Sequence, residues 1–272
     1  MNNYIKVSID RFDERLMAFL SLLPFESFED VGEDGMIAYI EENKLDEEAR
    51  QQMEEYISKF ECTFIEEVVY PKNWNAEWEA SFQPVEVEDF CRIRADFHSP
   101  VDGFKFDIII NPKMAFGTGH HETTYMMLQQ MKSMDFSGKT VFDYGCGTGV
   151  LSIVASKLGA EKVLAIDIEE ESYLNTIENC EVNHINNVES LCGELNSVQD
   201  QSFDLILANI NRQVLLDSVS GIYDLLTQGG QLLLSGILAD DKKIVETPYI
   251  NKGFKMKEII ERGKWLCFRL EK

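Results

Sequence analysis

The stretch Val141-Phe-Asp-Tyr-Gly-Cys-Gly-Thr-Gly149 decides the fold. Its first residues suit a buried strand, and the apolar run that begins at Val150 suits a helix, so the glycines stand at a strand-to-helix turn. Glycine at such a turn permits a tight bend and lets the main chain approach a ligand that a Cβ atom would repel. The stretch therefore predicts a ligand-binding turn within an α/β sheet.

The spacing of the glycines separates two kinds of nucleotide-binding loop. A dinucleotide fingerprint, G-x-G-x-x-G, needs its third glycine at position 150, which is valine, whereas this loop has it at Gly149. With Asp143 two residues before Gly145, the stretch reads D-x-G-x-G-x-G and strongly resembles the loop of class I methyltransferases. That resemblance implies S-adenosylmethionine as the cofactor, bound around Asp143, Gly145, Gly147 and Gly149.

Two polar residues stand at the ends of later predicted strands. Asp167 closes the strand Val163–Asp167, 22 residues after Gly145, where a carboxylate can accept both hydroxyls of a ribose. This task is common to nicotinamide and adenosylmethionine proteins, so only the glycine spacing distinguishes them. Asn209 stands at the carboxyl end of the strand Phe203–Ile210, and its amide can hold a cofactor edge or orient an amine.

The C-terminal half has the rhythm of a parallel sheet. Apolar strands alternate with helical stretches, which predicts a doubly wound, Rossmann-like sheet of seven strands. The strands are predicted at Val141–Tyr144, Val163–Asp167, Val188–Cys192, Phe203–Ile210, Gln231–Leu238, Phe254–Glu261 and Trp265–Leu270. The last two strands flank the turn Arg262-Gly-Lys264 and form a terminal antiparallel hairpin at one edge.

The N-terminal part follows a different pattern. Strand and helix periodicities alternate as βαββαβ in about 70 residues, which predicts a small ferredoxin-like α+β domain over residues 1–70, with Asp46 as a helix cap. Trp74, Trp78 and Phe82 recur at helical spacing, so residues 71–84 are predicted to form an aromatic helical linker. Residues 85–272 then form the catalytic domain.

Charge restricts the partners. The 272 residues carry a formal charge of −23, which excludes a nucleic-acid grip spread over the whole surface because such binding needs Lys and Arg at phosphates. Residues 1–70 hold 18 acidic and 6 basic side chains, a net −12. This acidity either keeps a solvated surface soluble or faces a basic partner.

The remaining signals are mostly exclusions. The start of the chain lacks the pattern of a signal peptide and no apolar run suits a membrane span, so we expect a cytoplasmic protein without membrane contact. Six scattered cysteines favour reduced thiols, and Cys146 is expected to pack or line the pocket. His120 and His121 are adjacent without a third spaced ligand, so no metal is predicted, and Glu122 suits the first turn of a helix.

Three stretches together resemble one family closely, the PrmA methyltransferases of large-subunit ribosomal protein eleven. They are Ala115-Phe-Gly-Thr-Gly-His-His-Glu-Thr-Thr124, the glycine loop with Asp167, and Leu207–Ile210 with Gly229–Leu238. The loop is specific only to a superfamily, whereas the first stretch is much narrower. The acidic N-terminal module and the aromatic linker fit as well, so the resemblance covers nearly the entire chain.

The resemblance implies a function and a site. Methyl groups would pass from S-adenosylmethionine to lysine ε-amino or N-terminal α-amino groups of that ribosomal protein, free of the ribosome in one interpretation, with the N-terminal domain recognising its basic surface. Thr124, Gly145, Asp167 and Asn209 would contact the cofactor. Phe116 to His120 would lie in the loop over the methyl group, so that Asn209, Phe116 and His120 are candidate positioning residues without a dedicated base. Nothing in the sequence demands more than a monomer.

Three departures from the family pattern leave alternatives open. Asn111 and Lys113 stand where the family often shows Asp and Gly, and Asn211 stands where Leu usually follows Asn-Ile. One alternative is a class I methyltransferase for RNA or a small molecule, although a nucleic-acid substrate would favour a basic auxiliary domain. Another is a binding or assembly protein that keeps the cofactor fold without turnover.

Overall fold

The computed structural model describes residues 3–32, 35–69, 83–111 and 121–272. The chain divides into two compact units, Met1–Ala80 and Ser81–Lys272. The helix predicted in the linker lies outside the described residues, and so do the candidate site residues Phe116 and His120.

The N-terminal unit has the predicted order of strands and helices. Its elements are β1 (Tyr4–Ile9), α1 (Glu14–Leu20), β2 (Ser27–Asp30), β3 (Met36–Glu41), α2 (Glu47–Lys59) and β4 (Phe64–Val69). The strands pair antiparallel in the order β2-β3-β1-β4, the ferredoxin-like arrangement. Asp46 caps α2 as predicted, because its carboxylate accepts a hydrogen bond from the main-chain N–H of Ala49 at 2.9 Å.

The two faces of this sheet differ in burial. Ile5, Val7 and Ile9 of β1 alternate inward and pack in one core with Leu16 of α1 and Met53 of α2. The face away from the helices, called here the outer face, carries Tyr4, Lys6, Ser8, Ser27, Glu29, Ile37, Tyr39, Ile65, Glu67 and Val69. Half-buried and exposed side chains make up that face, as expected for an antiparallel sheet with one packed side.

The C-terminal unit contains the predicted seven-stranded sheet. Its strands are β8 (Thr140–Tyr144), β9 (Lys162–Asp167), β10 (Val188–Cys192), β11 (Phe203–Asn209), β12 (Leu226–Leu238), β13 (Lys255–Arg262) and β14 (Trp265–Glu271). They lie in the order β10-β9-β8-β11-β12-β14-β13, with β14 antiparallel to both neighbours. The parallel sheet and the terminal hairpin are therefore confirmed.

Helices cover both faces of this sheet. They are α3 (Glu122–Met131), α4 (Val150–Lys157), α5 (Glu170–Val182), α6 (Arg212–Asp217), α7 (Val219–Leu225) and α8 (Lys242–Lys252). Consecutive residues of β11 alternate between two cores: Leu205 and Leu207 pack on one side, Ile206 and Ala208 on the other. Polar groups of the inner strands are thus concentrated at the strand ends, where ligands bind in open α/β sheets.

Two element boundaries differ from the prediction. The spacing of Leu128, Met131 and Met134 predicts a helix that continues to Met134, but α3 ends at Met131, because the Met134 N–H donates to the Met131 carbonyl in a tighter turn that still buries Met134. Strand β12 begins at Leu226 instead of Gln231, since Gly229 and Gly230 exchange main-chain hydrogen bonds with the terminal residue Lys272.

A second, smaller sheet in this unit was not predicted. It contains β5 (Val85–Val87), β6 (Cys91–Arg94) and β7 (Phe106–Ile109), and the sequence pattern predicts only the last of these, as a strand over Phe104–Ile110. Strand β6 carries two buried arginines, and Arg94 Nε donates to both carboxylate oxygens of Asp107 on β7, at 2.8 and 3.1 Å. Strands of three or four residues containing charges lack the alternation by which sequence reveals a strand.

The cysteines agree with the expectation of reduced thiols. All six cysteines are free, and four of them are buried: Cys91, Cys146, Cys180 and Cys267. Within the described ranges, no helix is long and apolar enough to cross a bilayer.

Candidate active site

The glycine loop follows β8 and ends at the first residue of α4. Gly145, Gly147 and Gly149 have φ angles of 76°, 55° and 77°, a region that side chains disfavour. A Cβ atom on Gly145 would lie 2.2 Å from Ile210 Cγ2, and one on Gly149 would lie 2.8 Å from Thr176 Cγ2. The loop therefore requires glycine, and a main chain without Cβ atoms can approach a ligand closely.

Asp167, at the end of β9, joins the glycine loop. Its Oδ2 accepts a hydrogen bond from the Gly147 N–H at 2.9 Å, and its Oδ1 accepts one from the Glu169 N–H at 3.1 Å. Each carboxylate oxygen has two acceptor sites, so one site on each oxygen is left for a ligand hydroxyl. The side chain is half-buried beside the loop, as a ribose-binding carboxylate requires.

Asn209 and Thr124 meet although they lie 85 positions apart. Asn209 ends β11, and its Nδ2 donates to the Thr124 Oγ1 on the first turn of α3 at 3.2 Å. Strand β11 is the direct neighbour of β8, from which the glycine loop starts. Both candidate residues thus stand at the same carboxyl edge of the sheet as Gly145 and Asp167.

Ile210 connects these two parts of the site, and sequence reasoning assigned it no role. Its Cγ2 lies 2.2 Å from the position of a Cβ atom on Gly145, and its carbonyl oxygen lies 2.0 Å from the position of a Cβ atom on Gly236. Gly236 has a φ of 90° and sits at the bulge between β12 and β14. A lone glycine inside an apolar strand often marks such a close approach, so this signal was present in the sequence.

Asp143 is buried in the core. It is 1% exposed, and the Ser152 hydroxyl donates to its Oδ2 at 2.6 Å, while Oδ1 is buried without a hydrogen-bond partner among the described residues. Burial raises the pKa of Asp143 to about 7. Its predicted part in cofactor binding stays a prediction, since the hydrogen bond described for its carboxyl group goes to Ser152 of α4.

Cys146 has the packing role expected for it. The thiol is 6% exposed and lies 3.3 Å from the Thr176 hydroxyl. Burial raises the pKa of the Cys146 thiol well above its usual range, so the group is a neutral thiol and not a nucleophile.

The N-terminus of α3 is held by the terminal hairpin. Glu122 lies in the first turn, as predicted, and forms an ion pair with Arg262 of β13. The Arg262 guanidinium also lies 3.7 Å from the centre of the Tyr125 ring, and the His121 ring contacts the Trp265 ring at 4.7 Å. These contacts fix the helix that carries Thr124. In the part of the chain that the structure describes, no three His, Cys, Asp or Glu side chains cluster to hold a metal.

The sequence of this chain is similar to those of known proteins. The profile of the family described as "Ribosomal protein L11 methyltransferase (PrmA)" matches residues 20–272. A ribosomal protein L11 methyltransferase of Porphyromonas gingivalis is 44% identical over 199 residues, 72% of this chain and 69% of the relative. One from Bacteroides thetaiotaomicron is 36% identical over 93% of this chain and 92% of its own length.

A solved structure agrees with the sequence relatives. The crystal structure of the ribosomal protein L11 methylase from Lactobacillus delbrueckii subsp. bulgaricus superposes with a TM-score of 0.65 at 30% identity, covering 70% of this chain and 98% of that one. The D-x-G-x-G-x-G loop, the strand order and these matches all indicate a class I methyltransferase. The chain belongs to the ribosomal protein L11 methyltransferase family, and it is an S-adenosylmethionine-dependent methyltransferase of class I fold.

Proposed function

We propose that this enzyme methylates ribosomal protein L11 on lysine ε-amino groups, the N-terminal α-amino group, or both. One observation carries the proposal: Asn209, at the carboxyl end of the strand next to the one that leads into the glycine loop, is hydrogen-bonded to Thr124 on the first turn of α3. A polar pair beside a nucleotide loop suits an amine that must be aligned with a methyl donor.

The proposed cofactor site consists of Gly145, Gly147, Gly149, Asp167 and Thr124. S-adenosylmethionine supplies a methyl group that is already activated on a sulfonium, so direct in-line transfer needs no covalent enzyme intermediate. The protein contributes mainly proximity and alignment, effects that can supply about 7 to 11 kcal/mol. The loop glycines and Asp167 hold the cofactor in this proposal, while Asn209 orients the nitrogen that accepts the methyl group.

The acceptor amine must also be neutral. A lysine with a pKa of about 10.4 is neutral at pH 7 in roughly one molecule in 2,500, equivalent to about 4.6 kcal/mol, whereas an α-amine near 7.8 needs only about 1 kcal/mol. Desolvation in the site and a neighbouring positive charge both favour the neutral amine. Since Asn209 Nδ2 is used by Thr124, the amide oxygen is the atom suited to accept an amine N–H.

The N-terminal unit is proposed to recognise the substrate, with residues 71–84 as the linker to the catalytic domain of residues 85–272. A ribosomal protein that contacts RNA is expected to present a basic surface, and residues 1–70 carry a net −12. On the outer face, the 67% exposed Ile65 is two positions from Glu67 on β4, and Glu29 lies on the opposite edge strand β2, so this face carries both apolar and acidic groups. Such a surface suits a basic protein more than RNA.

A transfer assay tests the function. Purified enzyme and S-adenosylmethionine labelled in the methyl group are incubated with free L11, with large ribosomal subunits and with ribosomal RNA. We expect label on free L11, in the manner of a monomeric cytoplasmic enzyme that meets its substrate before ribosome assembly. Label on RNA, or none on any protein, contradicts the proposal, and label only on assembled subunits contradicts the part concerning free protein.

A further inference from the structure

Helix α5 presents a row of buried asparagines. Asn175, Asn179 and the capping residue Asn183 recur every four positions and therefore lie on one face of the helix. They are 1%, 0% and 8% exposed. Asparagine is a weak helix former, and a buried amide is unfavourable unless it is hydrogen-bonded, so each of these side chains needs a partner that justifies its position.

Asn179 bridges two segments that are remote in sequence. Its Nδ2 donates to the Thr148 carbonyl in the glycine loop at 2.9 Å, and its Oδ1 accepts from the Asn111 N–H at 2.9 Å. Asn111 lies two residues after the end of strand β7 and four residues before Ala115, where the motif stretch begins. One amide thus ties the glycine loop to the main chain that follows β7.

The neighbours of Asn179 on the helix each serve one of the two segments. Thr176 Oγ1 donates to the Gly147 carbonyl at 3.0 Å, within the glycine loop. Asn175 Nδ2 donates to the Asn111 carbonyl at 3.2 Å, on the other segment. Thr176 is fully buried as well, so these bonds are shielded from water.

We propose that Asn179 is a positioning residue that holds the glycine loop and the Asn111 main chain in a fixed relative position. Thr176 holds only the glycine loop, and Asn175 holds only the Asn111 main chain. Because these bonds end on main-chain atoms, an altered side chain moves or orphans a backbone group and cannot be compensated by a neighbour. The expected change in kcat rests on the proposed transfer reaction, whereas the expected change in Kd rests only on cofactor binding.

The chain offers a matched control. Asn183 Oδ1 accepts from the Ile109 N–H at 3.0 Å, and its Nδ2 donates to the Ile109 and Asn179 carbonyls. It therefore has the same chemistry as Asn179, on the same helix, and also binds the main chain of β7. It makes none of the glycine-loop bonds given above for Thr176 and Asn179.

The experiment compares Asn179→Asp with Asn183→Asp. Calorimetry gives the Kd for S-adenosylhomocysteine, and the labelling assay with L11 gives kcat at saturating cofactor. In Asn179→Asp the carboxylate still accepts the Asn111 N–H but repels the Thr148 carbonyl, so we expect Kd to rise and kcat to fall, each by about tenfold or more. Asn183→Asp should lower the melting temperature and leave both constants within about twofold.

Two milder variants test each side and keep the proposal falsifiable if Asn179→Asp does not fold. Thr176→Val should raise Kd several-fold and leave kcat unchanged, whereas Asn175→Ala should lower kcat several-fold and leave Kd unchanged. Both constants unaltered in Asn179→Asp, or the same pattern in Thr176→Val and Asn175→Ala, overturns the proposal. If wild-type enzyme binds S-adenosylhomocysteine but labels no L11, the proposed function fails, while the comparison of Kd values still tests the positioning role of Asn179.

Discussion

Two aspartates, Asp143 of strand β8 and Asp13 at the N-cap of α1, show how differently the two units accommodate charge. In the C-terminal unit, burial raises the pKa of Asp143 to about 7. In the N-terminal unit, the hydrogen bond from the Arg15 side chain lowers the pKa of Asp13 to about 2. The parallel sheet is covered on both faces and tolerates charge only near its ends, whereas the antiparallel sheet leaves one face to solvent and charges. One unit is therefore built to position a cofactor, and the other to display acidic groups.

The largest expected effect concerns Gly236 in the C-terminal unit. Gly236→Ala would place a Cβ atom 2.0 Å from the Ile210 carbonyl and should lower the free energy of unfolding by about 3 kcal/mol or more, with loss of cofactor binding. Gly229→Ala is the matched control, since Gly229 is in the same strand with a φ of 79° and nothing within 4 Å of the added atom. Thermal melts and calorimetry with S-adenosylhomocysteine check both, and similar losses in the two variants would show that Ile210 is not tightly enclosed.

A pH series tests the contrast between the two aspartates. Asp143 binds its proton more tightly in the folded state, so the free energy of unfolding should fall as pH rises from about 4 to 7, by at most about 4 kcal/mol. Asp13 has the opposite sign: its stabilisation is present above pH 4 and is lost as pH falls towards 2.

The measurement is the difference in unfolding free energy between wild type and each Asn variant. For Asp143→Asn it should change between pH 5 and 7. For Asp13→Asn it should stay flat there and change only below pH 4. A flat difference for Asp143→Asn would mean that this carboxyl group is not buried as the structure has it.

Asp167 tests whether function lies at one end of the large sheet. Asp167→Ala should raise the Kd for S-adenosylhomocysteine by about 100-fold, because the ribose hydroxyls and the Gly147 N–H lose their acceptor. Asp204→Ala is the control: that carboxylate accepts hydrogen bonds from Thr140 at the opposite, amino end of the sheet, so stability should fall while Kd stays near wild type. Equal rises of Kd would refute the assignment of the site to the carboxyl edge.

The smallest expected effect concerns the outer face of the N-terminal unit. The double variant Glu29→Lys with Glu67→Lys should raise KM for L11 roughly fivefold and leave the Kd for S-adenosylhomocysteine unchanged. The reason is that charges at the edge of an interface mainly alter the rate at which the two proteins associate. Glu54→Lys with Glu55→Lys, on α2, changes the net charge equally. In each pair one glutamate is ion-paired with a lysine, Glu67 with Lys6 and Glu55 with Lys59. An equal effect of both pairs would point to overall charge instead of a docking face.

Much of the fold was predictable because its signals are local. Alternation in β1 and β11, the cap at Asp46 and the glycine spacing after β8 each depend on residues within a few positions of one another. The strands β5 and β6 were missed because they are short and charged, and they exist through pairing with β7. For the candidate site, the sequence predicted which residue types stand at the strand ends but not the contacts among them.

The sequence by itself determined the fold class, the cofactor loop and the family, since glycine spacing and strand periodicity arise from backbone sterics within one segment. Only the tertiary structure decided that Asn209 meets Thr124, that Ile210 lies between Gly145 and Gly236, and that Asn179 joins the glycine loop to Asn111. Those contacts join residues 26 to 85 positions apart and depend on how strands and helices stack. A local pattern can mark one member of such a contact, as Gly236 does, but it does not encode the partner, because burial and close approach are properties of the packed chain.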